Sequence, residues 1–136
     1  MKINISSSYL TKFKELNITI IYLFGSFAED KALPLSDIDI GILLTQEAIA
    51  DPNIDIGEIY NEVYDILTDI FPSKHLDIVF LQKAPLELRF DVITHGQILY
   101  ESSHEASLDF EEKTMILYAD FKPLLKEIND TIINRA

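Results

Sequence analysis

With 136 residues, the chain is long enough for one folded domain with its own core and too short for a second, substrate-binding domain. Its 48% hydrophobic and 25% charged residues are typical of a globular protein, and the absence of cysteine excludes disulfides and thiolate metal sites. The net charge of −12 argues against direct binding of nucleic acid, and no apolar run reaches the roughly 18 residues of a membrane span. We therefore expect a single cytoplasmic domain, residues 1–136, that does not bind a membrane.

The first half of the chain alternates between helical and β-strand patterns. Residues 8–16 have apolar residues at helical spacing, preceded by serines suited to an N-cap. Residues 17–24 are β-branched and aromatic, which predicts a central strand. Three further segments follow: one or two helical turns over 26–31, a second strand over 37–44, and a polar loop over 45–55.

The second half continues this alternation. Apolar residues between 56 and 70 follow helical spacing closely, and residues 76–81 are predicted to form a third strand. A further helix is predicted over 85–93, because proline suits a first helical turn, and Gly96 ends it before a short edge strand or extended segment at 97–100. Alternating strands and helices predict an α/β fold, with a small mixed β-sheet flanked by helices.

The longest helical pattern covers residues 105–133 and forms a C-terminal helical segment beyond a core of residues 1–101. Its apolar residues keep near-heptad spacing, and they are Phe110, Leu117, Phe121, Leu124 and Ile128. Pro123 is expected either to kink this helix or to divide it into two. Such a stripe more often packs into a core than onto a partner, so we interpret it as core packing. It is also the longest candidate surface for a partner.

The residues suited to chemistry follow the first predicted strand and lie on the next two. Gly25 and Ser26 form a turn before a predicted helix, and such a turn suits a phosphate group. Asp37 and Asp39 are two residues apart, so in a strand they project from one face. Two like charges repel by roughly 4 kcal/mol at about 4 Å, and a divalent cation between them would remove that cost. Asp77, on the third predicted strand, is the best-placed third carboxylate.

This pattern resembles that of the nucleotidyltransferases of the polymerase-β-like superfamily, in particular the minimal nucleotidyltransferase (MNT) group. Their signature is Gly-Ser, a spacer, Asp-x-Asp, and a third Asp on a later strand. The matching positions in this chain are Gly25-Ser26, Asp37-Ile38-Asp39 and Asp77. Residues 84–101 and 108–125 are also similar to the C-terminal half of MNT antitoxins, which are paired with HEPN-domain toxins.

The resemblance implies a polymerase-β-like fold and a Mg²⁺-dependent transfer of AMP from ATP, with two Mg²⁺ ions between the aspartates and the triphosphate. Asp37, Asp39 and Asp77 are then the catalytic, metal-binding residues, and Gly25 and Ser26 bind the nucleotide phosphates. In similar MNT antitoxins the acceptor is a tyrosine of the HEPN toxin, an RNase that the modification silences. The expected function is the antitoxin of a type VII-like HEPN/MNT pair, with ATP and the toxin as partners and a hetero-oligomer with the toxin.

One segment departs from the family pattern. MNT proteins often continue Gly-Ser with x-Ala-Arg-Gly, whereas this chain has Glu29 and Asp30 in place of Arg-Gly, followed by Lys31. Negative charge facing a triphosphate would weaken nucleotide binding. Two alternatives therefore stay open: a non-catalytic antitoxin that neutralises its toxin by binding, and a nucleotidyltransferase acting on a small hydroxylated molecule. The aspartates can also be interpreted as strand-start residues that bond to loop amides.

Overall fold

The computed structural model describes residues 3–25, 37–72 and 74–134. The predicted helical turns over 26–31, including Ser26, Glu29, Asp30 and Lys31, lie outside the described residues. The helices of the described part are α1 Ser7–Glu15, α2 Gln46–Ala50, α3 Ile56–Ile70, α4 Leu86–His95 and α5 His104–Asn134. Its strands are β1 Ile18–Phe24, β2 Ile38–Leu44, β3 Leu76–Phe80 and β4 Gln97–Glu101, with a 3-10 turn at Leu81–Lys83.

The strands form one mixed sheet in the order β3-β2-β1-β4. β1 pairs with β2 and with β4 in antiparallel orientation, whereas β2 and β3 are parallel. A parallel pair needs a crossover connection, and α3 lies in the connection between β2 and β3. The predicted mixed sheet, the central position of the first strand and the edge position of the last are confirmed.

Both faces of the sheet are buried, because alternate residues of β1 and β2 enter two separate apolar clusters. On the first face, Ile38, Ile40 and Ile42 are fully buried and share a cluster with residues of α1 and α3. On the second face, residues of β1 pack with Leu81 and with Val92 of α4, and Phe110 of α5 lies against them. The second face is therefore the side of the sheet that α4 and α5 cover.

The segment 45–55, predicted to be a polar loop, contains the short helix α2, and this prediction was wrong in part. The hydroxyl of Thr45 accepts a hydrogen bond from the backbone N–H of Ala48 at 3.2 Å, which caps the helix. Ala48 is only 2% exposed, so one face of this turn is anchored in the first cluster. The polar composition of the segment concealed a local capping interaction and a single buried alanine.

The C-terminal helix is one continuous helix through Pro123, and only its first part packs on the sheet. Phe110 contacts Tyr22 with the ring centroids 6.3 Å apart, whereas Leu124 is 51% exposed and Ile128 is 46% exposed. Core packing as the interpretation of the whole stripe is therefore wrong for its second half. The physical reason is length: 31 residues of helix span about 46 Å, whereas strands of five to seven residues span about 16–23 Å.

None of the described helices is both long enough and apolar enough to cross a membrane.

Candidate active site

Gly25 lies directly against the carboxylate of Asp39. β1 ends at Phe24, whose partner residue in β2 is Asp39, and Gly25 follows with a φ of 73° in the left-handed region. A Cβ atom at Gly25 would collide with Oδ2 of Asp39 and would lie 3.1 Å from its Cγ. Glycine is therefore required here for two reasons: the backbone conformation, and the Asp39 side chain that occupies the space of a Cβ.

The three predicted aspartates lie at the end of the sheet where β2 and β3 begin. Asp39 and Asp77 are register partners in the parallel pair, so their side chains project from the same face. Asp37 immediately precedes β2, and its Oδ1 lies 3.3 Å from Nδ1 of His75. The backbone carbonyl of His75 accepts a hydrogen bond from the N–H of Ile38 at 2.9 Å, which joins the starts of the two strands.

Negative charge is concentrated at Asp39. Partial burial raises the pKa of the Asp39 carboxyl, and the neighbouring charges of Asp77 and then Asp37 raise the pKa further. Each of these causes disfavours the ionised form. A bound cation beside these carboxylates would favour their ionised forms and so offset this effect.

The donor chemistry fits Mg²⁺, although the side chains are not gathered around one point. Carboxylate oxygens are the ligands that Mg²⁺ prefers, and all three candidates are aspartates. Within residues 3–25, 37–72 and 74–134, no three His, Asp or Glu side chains converge closely enough to hold a metal ion. Gly25, Asp37, Asp39 and Asp77 are nevertheless neighbours at this end of the sheet. Ser26, the other predicted phosphate-binding residue, lies outside the described residues.

A second polar location was not predicted from the sequence. A cavity of about 540 Å³ lies at the opposite end of β1 and β2 and is lined in part by Leu43, Gln82 and Arg89. In the described part of the chain, the Nε atom of Arg89 and the Nε2 atom of Gln82 are buried and have no hydrogen-bond partner. The available signal was Arg89 itself, one of two arginines in the chain, which stands in the apolar segment PLELRFDVI.

Comparisons with known proteins bear on the family and the fold of this chain. The family model for "Polymerase beta, Nucleotidyltransferase" matches residues 7–105. A chain from the crystal structure of a toxin–antitoxin with AMP-PNP is 26% identical, with a TM-score of 0.64 and coverage of 91% of this chain and 98% of that chain. A chain from the structure of tri-AMPylated Shewanella oneidensis HEPN toxin in complex with MNT antitoxin is 25% identical, with a TM-score of 0.60 and coverage of 91% and 95%.

A chain from the toxin–antitoxin MntA–HepT is also 25% identical, with a TM-score of 0.58 and coverage of 94% of this chain and 99% of that chain. A search of curated proteins finds no significant match. The solved chains are matched over nearly their whole length. The polymerase-β-like fold predicted from the sequence is confirmed. The family match spans well over half of the chain and includes both Gly25 and Asp77, so this protein belongs to the polymerase β nucleotidyltransferase family.

Proposed function

We propose that this protein is an antitoxin that transfers AMP from ATP to a tyrosine of a cognate HEPN RNase toxin and thereby inactivates it. One observation carries the proposal: a chain similar over almost its entire length belongs to a complex of MNT antitoxin with a tri-AMPylated HEPN toxin. The similar chain solved with AMP-PNP, an ATP analogue, supports ATP as the AMP donor. The adjacency of Gly25, Asp39 and Asp77 supports a catalytic role rather than binding alone.

The residues at the start of β2 and β3 are assigned to the nucleotide and its cations. Asp37, Asp39 and Asp77 would hold two Mg²⁺ ions, which neutralise the charge of the triphosphate and of the departing pyrophosphate. Gly25 and Ser26, next to it in the chain, are assigned to the phosphates because their Gly-Ser sequence matches the phosphate-binding turn of the family signature. Asp39 is oriented by its contact with Gly25 and by its place inside the sheet.

The transfer itself requires the loss of one proton. A bond forms between the tyrosine oxygen and the α-phosphorus of ATP, and the bond from the α-phosphorus to the bridging oxygen of the β-phosphate breaks, which releases pyrophosphate. The phenol proton leaves as its oxygen attacks. We assign Asp77 as the acceptor of that proton because it is exposed and lies on β3, an edge strand that an incoming protein can reach.

The test is the intact mass of a candidate HEPN toxin after incubation with this protein, ATP and Mg²⁺. Wild-type protein is compared with the variant Asp37→Ala/Asp39→Ala and with Asp65→Ala, which changes an exposed aspartate on α3. We expect one or more added AMP units with wild type and with Asp65→Ala, and none with the double variant. Neutralisation of the toxin by all three proteins without any mass change would overturn the enzymatic function.

That contrary outcome defines the second candidate, an antitoxin that acts by binding alone. The observation in its favour is that the three aspartates are adjacent without converging on one point. Transfer of AMP to a small hydroxylated molecule, with no toxin present, would instead favour the third candidate. The same incubation, with free small-molecule acceptors replacing the toxin, separates these cases.

A further inference from the structure

One face of α5 runs past two cavities. The first is the cavity described above, to which α5 contributes Ala106, Phe110, Lys113 and Leu117. The second has a volume of about 330 Å³, and α5 contributes Leu124, Ile128 and Ile132 to it. Successive members are three, four or seven residues apart, which places them on a single helix face. From Ala106 to Ile132 this surface is about 39 Å long at about 1.5 Å per residue. We call it the α5 groove.

The α5 groove is packed against the core at its N-terminal end and is exposed along the rest of its length. Phe110 is packed against Tyr22, whereas Leu117, Leu124 and Ile132 are 49%, 51% and 60% exposed. Large exposed apolar side chains aligned on one helix face often mark a site of interaction with another protein. Its length also suits an amphipathic helix of another protein, since a small molecule would occupy only one of the two cavities.

Charge in and around the groove restricts the occupant further. The buried Nε of Arg89 and Nε2 of Gln82 are both donors without an acceptor in the described part of the chain, so the occupant is expected to bring a carboxylate or a carbonyl group. Glu47 and Glu127 line the same cavities with exposed carboxylates, whereas the Asp109 carboxylate in the first cavity is paired with Nζ of Lys113 at 3.0 Å. Together with a net charge of −12, Glu47 and Glu127 favour a basic protein.

The groove lies on the catalytic side of the sheet. Phe110 of α5 packs against Tyr22 and the second apolar cluster, which also contains Phe24. Phe24 is the partner residue of Asp39, so the Asp39 side chain projects from this same face. A protein held in the α5 groove is therefore on the same side of the sheet as the Asp39 side chain. Because the first cavity lies at the opposite end of β1 and β2, that protein would have to span about 20 Å to bring a tyrosine to the aspartates.

We propose that the α5 groove is the surface on which the HEPN toxin docks while its tyrosine is presented to the aspartates. This rests on the proposed function and adds the location and chemistry of the contact. The toxin contributes an amphipathic helix, with apolar residues in the groove, one acceptor group at Arg89, and basic residues opposite the acidic rim.

The experiment measures the affinity of a candidate HEPN toxin for full-length protein and its variants. Leu124→Glu/Ile128→Glu changes the groove. Met115→Glu/Ile116→Glu is the matched control, because these two residues of α5 are 51% and 55% exposed and line neither cavity. We expect the groove variant to weaken toxin binding at least about tenfold and the control to change it less than about threefold. Arg89→Gln is expected to weaken binding about tenfold, through loss of the charged donor.

Separate readouts distinguish this proposal from the proposed function. Thermal stabilisation by ATP and Mg²⁺ should be the same for the groove variant, the control and wild type, because none of the changes touches the aspartates. If wild type binds the toxin through the groove and no AMP is transferred, docking stands and the enzymatic function fails. If AMP is transferred and the groove variant binds the toxin as wild type does, docking is overturned and the enzymatic function stands.

The remaining outcomes also decide against the groove. Equal weakening by groove and control variants would indicate a general effect of added negative charge. Self-association of wild type that the groove variant abolishes, with toxin affinity unchanged, would identify a second copy of this chain as the occupant. Absence of toxin binding by wild type would likewise overturn the proposal.

Discussion

The position of the Asp39 carboxylate depends on Gly25, because the carboxylate occupies the space that the Cβ of any other residue at position 25 would fill. In Gly25→Ala, the new Cβ would displace the carboxylate, and the φ of 73° would add roughly 1–2 kcal/mol of backbone strain. We expect AMP transfer to fall about 100-fold, as when a catalytic group is misplaced by about 1 Å. Transfer rate and urea unfolding measure the two effects. Gly57→Ala is the control for AMP transfer, which should be unchanged, since Gly57 lies in α3 and its new Cβ would meet, of the described residues, only the Asp55 side chain at 3.2 Å.

Asp39 provides a pH-dependent test of the same cluster. Its pKa is raised in the folded state by burial and by Asp77 and Asp37, so the folded protein binds a proton more tightly there than the unfolded chain does. Stability contributed by this group is therefore present below the unfolded pKa near 3.8 and is lost as the pH rises through the folded pKa.

We therefore predict that Asp39→Asn has a higher melting temperature than wild type at pH 7 and that this difference disappears as the pH falls toward 4. Thermal unfolding across that range, without divalent ions, is the measurement. Asp65→Asn, at an exposed position of α3, is the matched control. A melting temperature of Asp39→Asn that stays at or below that of wild type at pH 7 would contradict the prediction.

At the residue scale, the sequence predicted that the three aspartates lie near one another, but not that Asp39 occupies the space beside Gly25. Strand periodicity predicts one face for Asp37 and Asp39, although β2 begins only at Ile38, and the position of Asp77 follows from its place in a third strand. The clash that a Cβ at Gly25 would make depends on the strand register, which sets Phe24 opposite Asp39. Only the folded sheet defines that register. Ser26 stays a prediction from the motif.

At the scale of elements, the alternation of strands and helices was predictable because periodicity reports which residues share a face. It does not report what lies opposite that face. The apolar stripe of α5 is uniform in sequence, yet Phe110 is packed on Tyr22 while Leu124 is half exposed. The difference comes from the length of the helix relative to the sheet, a tertiary property. α2 was missed because a capped turn with one buried residue has too short a pattern to detect.

The contacts of α5 bear on the predicted division of the chain into residues 1–101 and 105–133. The hydroxyl of Tyr22 donates a hydrogen bond to Oε1 of Glu111 at 3.0 Å, and Phe110 packs on the same tyrosine. We propose that the first part of α5, up to about Phe121, folds as part of the core and that the remainder is a separate extension.

Removal of residues 124–136 tests this proposal. Because Leu124 and Ile128 bury little, we expect the free energy of unfolding to change by less than about 1 kcal/mol. Phe110→Ala is the comparison and should cost roughly 2–3 kcal/mol, since it removes a partly buried aromatic ring from the second cluster. Urea unfolding of both proteins measures the difference. A loss on truncation as large as that of Phe110→Ala would show that the extension belongs to the core.

At the scale of the whole molecule, the chain is acidic, and the three aspartates of the candidate site are neighbours at one end of the sheet. A net charge of −12 attracts cations everywhere on the surface, so stabilisation by added salt alone carries no information about a specific site. Specific binding is recognised by its dependence on Asp37, Asp39 and Asp77. It also saturates at a defined concentration, whereas screening by salt continues to increase.

We predict that Mg²⁺ with a non-hydrolysable ATP analogue raises the melting temperature of wild type on the order of 10 °C, since a ligand at 100 times its Kd stabilises by about 2.7 kcal/mol. KCl at matched ionic strength should raise it far less. In Asp37→Asn/Asp39→Asn the response to Mg²⁺ and nucleotide should be lost, because two carboxylates no longer hold the cations. An equal rise in the double variant would place the binding elsewhere on the acidic surface. A rise in wild type that chelation with EDTA leaves unchanged would show that nucleotide binds without the metal, contrary to the two-cation assignment.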